Sequence, residues 1–174
     1  MSQPEKTLPE SEVHALLRRA FAMRAAAYAH TYDVLREELG EERARVLSKR
    51  ATRRMGEAMG RAFQDYAPND LTGLTHAFLE AIIEGEALFK PEVVQADSEA
   101  MRVLFHRCPL KEAWHAQGRS DADIAALCEI AGAIDIGLFE GAGFTFAGET
   151  WRVGDEGCCR LCVLPGKADA EEKS

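Results

Sequence analysis

The chain has 174 residues, 47% of them hydrophobic, and a formal net charge of −8. That is the size of one domain with a single sizeable core, and the negative balance argues against a nucleic-acid binder driven by phosphate contacts. No window reaches the roughly 18 apolar residues of a membrane span, the polar start lacks a signal-peptide core, and five cysteines, an odd number, do not suggest a disulfide framework, so a cytoplasmic protein with reduced thiols is expected.

Residues 1–10 read as a disordered leader. Ser11 to Leu39 reads as a long helix ending at Gly40, with Val13, Leu16, Leu17, Ala20, Ala27, Tyr28, Val34 and Leu35 on its stripe and Arg24 set among them. Glu41 to Tyr66 is a second helix with Ala44, Leu47, Ala51, Met55, Ala58 and Ala62 on one face. Gly56 and Gly60 either weaken its middle or admit another backbone closely. Its basic residues, among them Arg45, Lys49 and Arg53, alternate with Glu41, Glu42 and Glu57 and read as a solvated face. Pro68-Asn69-Asp70 is a break, and Leu71 to Glu84 a third, shorter helix.

The pattern then changes. Ala87 to Gln95 and Met101 to Arg107 read as the strands of a hairpin, followed by one or two helical turns over Leu110 to Ala116. Ser120 is a candidate N-cap for the next helix, with Asp123 three residues on in capping-box fashion. That helix stops at Gly141 or Gly143. Phe144 to Trp151 and Cys158 to Leu164 are two more strands. Helices first, then two hairpins around one helix, predict an α+β domain over residues 11–165: long N-terminal helices on a roughly four-stranded antiparallel sheet. Residues 166–174 read as a charged tail.

The chemistry is concentrated in the second half. Ile124, Leu127, Cys128, Ala131, Ile134, Asp135 and Leu138 follow one helical face. Cys128 and Asp135 therefore look inward together, roughly 10 Å apart at 1.5 Å rise per residue. A buried cysteine is ordinary, but a buried carboxylate needs a partner or a proton. Strand alternation puts Leu104, His106 and Cys108 on one face, and Cys159 with Leu161 and Val163 on a core face. Cys158 and Cys162 take that role if a bulge shifts the register. The four residues Cys108, Cys128, Asp135 and Cys159 are expected to line one cavity. His106 and Arg107 stand beside Cys108 and supply a base or cation that would lower a thiol pKa. Arg24 could hold a carboxylate by two parallel hydrogen bonds.

Metal is the rival reading. Cys159-Arg160-Leu161-Cys162 has Cys-x-x-Cys spacing, but on a strand it points the sulfurs to opposite faces. A site assembled from distant elements, with Cys108, Cys128 and Cys159 as ligands of zinc or another thiophilic metal, stays open beside the expectation of no cofactor. No nucleotide loop, HExxH or GxSxG occurs.

The run Cys108-Pro109-Leu110, then Leu127-Cys128 with Asp135 seven residues on, then Gly154 and Cys159, resembles the L-2-amino-thiazoline-4-carboxylic acid hydrolase family. The helical first half, with Leu39-Gly40-Glu41-Glu42 between two helices, is also similar, so the likeness spans roughly residues 12 to 164. A looser similarity is to small vinyl-reductase-type ligand-binding domains. Two departures stand out: Cys158-Cys159 with Arg160-Leu161 where the family carries an acidic-aromatic pair, and Trp151 where it carries an aliphatic residue. The resemblance implies a small-molecule hydrolase opening a cyclic amidine that bears a carboxylate, at a C–N bond. Cys108 would be the nucleophile, with Cys128 or Cys159 able to exchange roles with it. Asp135 and His106 would be acid and base, and Arg24 and Arg107 the substrate ligands. The alternatives are a non-catalytic domain that senses a small ligand or a metal, and a helical dimerisation module. A small molecule is the expected partner, with a homodimer allowed and no nucleic acid or membrane.

Overall fold

The protein was analysed as a computed structural model, which describes residues 8–167. Most of the expected leader and tail lies outside the described residues, but Glu10, placed in the leader, is already helical. The elements in order are α1 (Glu10–Leu39), α2 (Glu41–Gly60), a 3₁₀ segment (Arg61–Tyr66), α3 (Leu71–Ala81), α4 (Gly85–Leu88), β1 (Pro91–Ala96), β2 (Met101–Phe105), α5 (Pro109–Ala116), α6 (Asp121–Gly141), β3 (Thr145–Phe146) and β4 (Arg160–Leu164). The strands form one antiparallel sheet in the order β1-β2-β4-β3. The fold is therefore α+β, as the order of sequence patterns implies. Among the described residues no helix is long and apolar enough to cross a membrane.

The fully buried lines of the long N-terminal helices share only Ala44 with the expected stripes. On α1 the buried line is Ala25, Ala29 and Tyr32, while Leu16 and Val34 of the expected stripe are exposed. On α2 it is Ala44, Thr52, Gly56 and Gly60, and Met55 is exposed. Both are lines of mostly small residues. Close helix crossings favour small side chains over apolar ones, because backbone must approach backbone. A methyl group on Gly56 would strike the carbonyl of Ile134 on α6, and one on Gly137 would strike that of Arg53 on α2. Salt bridges from Arg45 and Lys49 to Glu129 and from Arg53 to Glu140 edge this crossing.

Nine of the 21 residues of α6 are buried, while Glu129 and Glu140 form a polar edge toward α2. Ser120 caps it by accepting from the Asp123 amide at 3.2 Å. The reciprocal half of a capping box is absent, because the Asp123 carboxylate accepts from Arg36 instead. The first half of α6 packs Ile124, Leu127, Cys128 and Ile130 with α1 and α5. Its end packs Leu138 and Phe139 with α3 and with Met101, Val103, Phe105, Leu161 and Val163 on the inner sheet face. Cys108 touches both clusters and so stands at their seam.

Element ends differ from expectation for local reasons. The third helix stops at Ala81, and α4 intervenes before a strand that starts only at Pro91; Glu84 and Lys90, both left-handed at φ 52° and 48°, turn the chain at either side. The strand expected over Phe144–Trp151 is regular only at Thr145–Phe146. Gly148 presses its Cα side against the Phe146 ring and the Arg160 carbonyl, and pairing resumes at Glu149 as an isolated bridge to Arg160.

Candidate active site

Helix α5 starts where β2 ends. Pro109 fits the first helical position because it has no N–H to leave unpaired, and Cys108 becomes the N-cap residue. Its sulfur makes no formal cap hydrogen bond, yet it sits where the free amides of the first turn make the helix end electropositive. Trp114, fully buried, donates from Nε1 to the Ala25 carbonyl at 2.9 Å and docks α5 on α1. The alanine line of α1 is what leaves room for this indole.

A cavity of about 210 Å³ opens at the seam between the two core clusters. Cys108, Cys128, Asp135 and Cys159 all line it, as helical phase and strand alternation predict, and so do Arg24, Arg107 and Cys158. The rest of the wall is apolar and largely aromatic, with Phe21, Phe78, Phe89, Phe105 and Trp114.

Cys158 reaches the cavity through a bulge. Phe105 donates to the Cys159 carbonyl and accepts from the Cys158 amide, so two residues oppose one. Both thiols then face inward, with their sulfurs 3.2 Å apart. The doubled cysteine after Gly157 was the available signal, and register alone could not decide between its members. Cys162 lies instead on the far side of the sheet.

His106 is not among the lining residues. The chain leaves the ladder after Phe105, so Cys108 no longer shares a face with His106. The imidazole pairs at the surface with Glu92 at 2.7 Å. Its expected role as base beside Cys108 is not borne out by this placement. Arg107 lines the cavity with its fork occupied: Nε and Nη2 hold the two oxygens of Glu112, at 2.7 and 3.0 Å, and Nη1 the Ala87 carbonyl. Arg24 holds the Tyr28 hydroxyl through one nitrogen and lies over that ring, with no carboxylate partner among the described residues. Of the two arginines, Arg24 is the one whose guanidinium is not already paired with a carboxylate among the described residues.

The groups in the cavity are pushed apart in acidity. A hydrogen bond from Cys158 lowers the pKa of Cys108 most, and the Lys111 and Leu110 amides add to it, against burial and the charge of Asp135. The Cys158 thiol is pushed up by donating to Cys108 and by its bond with Cys159, then by burial. Burial, followed by the neighbouring Cys108 and Cys159, also pushes Cys128 up. Burial raises the Asp135 carboxyl to about 7 against the pull of Arg24, with no hydrogen bond contributing. Of the three thiols whose acidity the cavity shifts, Cys108 alone is lowered, while the Asp135 carboxyl is raised toward neutrality. Among the described residues no group of three or more His, Cys, Asp or Glu side chains is placed to hold a metal ion. The alternative metal set of Cys108, Cys128 and Cys159 is not assembled.

The sequence profile described as L-2-amino-thiazoline-4-carboxylic acid hydrolase matches residues 20–163. A search of curated proteins finds no match. Several solved structures are distantly similar, these two among them. One is a trafficking protein particle complex subunit 3 from Naegleria fowleri covalently bound to palmitic acid, at 14% identity and TM-score 0.46, covering 83% of this chain and 96% of that one. The other is the phenol-responsive sensory domain of the transcription activator PoxR with phenol, at 16% identity and TM-score 0.43, covering 83% and 74%.

Proposed function

The chain belongs to the L-2-amino-thiazoline-4-carboxylic acid hydrolase family, and from that premise we propose that it opens a small carboxylate-bearing cyclic amidine by hydrolysis at a ring C–N bond. The observation that carries this reading is one cavity holding a thiol biased toward its thiolate, Cys108, and a carboxyl with a pKa of about 7, Asp135. A nucleophile and a proton carrier are what amidine hydrolysis needs.

In this reading the Cys108 thiolate adds to the amidine carbon. The protonated Asp135 gives its proton to the ring nitrogen, and the C–N bond breaks with the nitrogen leaving as an amine. The ring fragment stays on Cys108 through carbon. Water then adds to that carbon and yields a proton to the Asp135 carboxylate, and the thiolate of Cys108 is expelled. One water is consumed, and both side chains return to their starting state. Arg24 holds the substrate carboxylate. The cavity lies below the roughly 300–1,000 Å³ of drug-sized sites and fits a single small ring. A cytoplasmic setting, where thiols stay reduced, belongs to the same reading.

The test is turnover of L-2-amino-thiazoline-4-carboxylate, followed as the gain of one water by mass. The wild type should turn over, and Cys108→Ser and Asp135→Asn should each lose about 100-fold or more, the scale of removing a nucleophile or a general acid. Full activity in Cys108→Ser would overturn the assignment. A second reading, a non-catalytic small-ligand-binding domain, draws on the aromatic wall of the cavity. It predicts saturable quenching of tryptophan fluorescence by the same compound with no product.

A further inference from the structure

Hydrolysis uses one thiol of the cavity and leaves the others unexplained. Cys158 is the centre of that remainder. It is buried in the sheet cluster, its amide is tied to the Phe105 carbonyl, it lines the same cavity as Cys108, its hydrogen bond is the largest cause that lowers the Cys108 pKa, and its sulfur lies 3.2 Å from that of Cys159. A hydrolytic nucleophile gains from a helix N-terminus. It has no need of a second thiol in contact, and such a thiol makes it oxidisable.

We propose that Cys108 and Cys158 form a redox modification site: a hydroperoxide oxidises Cys108, and Cys158 resolves the product to a Cys108–Cys158 disulfide. The thiolate of Cys108 attacks the near oxygen of the peroxide. The O–O bond breaks, the far oxygen leaves as water or alcohol after taking a proton, and Cys108 becomes a sulfenic acid. The Cys158 sulfur then attacks the sulfenic sulfur. Its proton and the hydroxyl depart as water, and the S–S bond forms. Two thiols and one peroxide give one disulfide and two molecules of water, or one water and one alcohol.

The choice of pair follows from chain geometry. Cys158 and Cys159 are joined by a trans peptide, which sets their Cα atoms about 3.8 Å apart, short of the roughly 4.4–6.8 Å of an unstrained disulfide. Cys108 comes from a different element, the start of α5, and has no such constraint. Cys128 lines the cavity from α6 but makes no hydrogen bond to Cys108 or Cys159, so it is not placed to attack. Because the disulfide consumes the same Cys108, it would switch the proposed hydrolase off until a reductant restores it.

The experiment treats the reduced full-length chain with one equivalent of hydrogen peroxide, caps remaining thiols by alkylation, and maps the digest by mass spectrometry. The expected result is a Cys108–Cys158 linked peptide, with three of the five cysteines still alkylated. Cys158→Ser and Cys158→Ala should give no link and a sulfenic acid on Cys108 that dimedone traps. A Cys158–Cys159 or Cys108–Cys159 link in the wild type would overturn the proposal. So would five free thiols after an exposure that fully oxidises free cysteine. Mapping needs no substrate and relies on the unmutated protein, so its outcome is independent of whether the hydrolase reading holds.

Discussion

Trp114 on α5 donates to the backbone carbonyl of Ala25 on α1 across 89 residues of sequence. The bond fixes the helix that starts at Cys108 against the helix that carries Arg24 next to Ala25. The indole thus helps to hold Cys108 and Arg24 at one cavity. Trp114→Phe keeps much of the volume and removes the donor. It should cost about 1–3 kcal/mol for lost packing and an undersatisfied buried carbonyl, measured by urea denaturation, and should raise KM through Arg24 more than it lowers kcat. Unchanged stability would show the contact to be incidental.

Cys108 should be the most reactive thiol. Alkylation followed cysteine by cysteine against pH should show its rate rising with an inflection below about 8.5, the free-thiol value, while Cys128 and Cys158 react slowly throughout. If all five share one inflection at or above the free value, the helix end and Cys158 do not activate Cys108.

Asp135 gives a stability signature. Its folded pKa, about 7, lies above the roughly 3.9 of an unfolded aspartate, so the folded state holds the extra proton between those values. Stability should therefore fall as pH rises from about 4 to 7 and level off above. The loss should be on the order of 2–4 kcal/mol. Asp135→Asn should remove this slope, matching the wild type near pH 4 and exceeding it at pH 8, with turnover lost. A variant less stable than wild type at pH 8 but still active would make Asp135 a structural partner.

Arg24 opposes that rise by its charge. Arg24→Leu should move the alkaline limb of the activity profile upward, because Asp135 keeps its proton to higher pH, and should raise KM for a carboxylate substrate. Neither shift would be seen if Arg24 only supports Tyr28.

Gly137→Ala would set a methyl against the Arg53 carbonyl where α6 crosses α2. The expected cost is about 1–3 kcal/mol, the range for overpacking a tight contact, read by thermal or urea unfolding. A neutral effect would mean that this crossing has slack.

Much of the site was legible in the sequence. Cys128 and Asp135 share a helical face by phase alone, and helical phase survives folding because it depends only on 3.6 residues per turn. The Cys108-Pro109 pair marks a helix start for an equally local reason. The two glycines of α2 announced a close approach, which the crossing with α6 supplies. His106, by contrast, lies past Phe105, where the ladder ends and strand alternation no longer applies. Cys158 required the bulge opposite Phe105, and a bulge is set by the partner strand.

By itself the sequence determined the α+β order of the main elements, the helical phase that aims Cys128 and Asp135 one way, and the family. Those depend on residues near one another in the chain. Tertiary structure decided which thiol is activated, because Cys108 draws its partners from α5 and the segment before β4. It also decided which arginine lacks a carboxylate partner among the described residues, since Glu112 occupies the fork of Arg107 while Arg24 holds only the Tyr28 hydroxyl. The Asp135 carboxyl owes its raised pKa to burial by elements far off in sequence. Acidity is set by the dielectric and charges around a group, and only the packed fold supplies those.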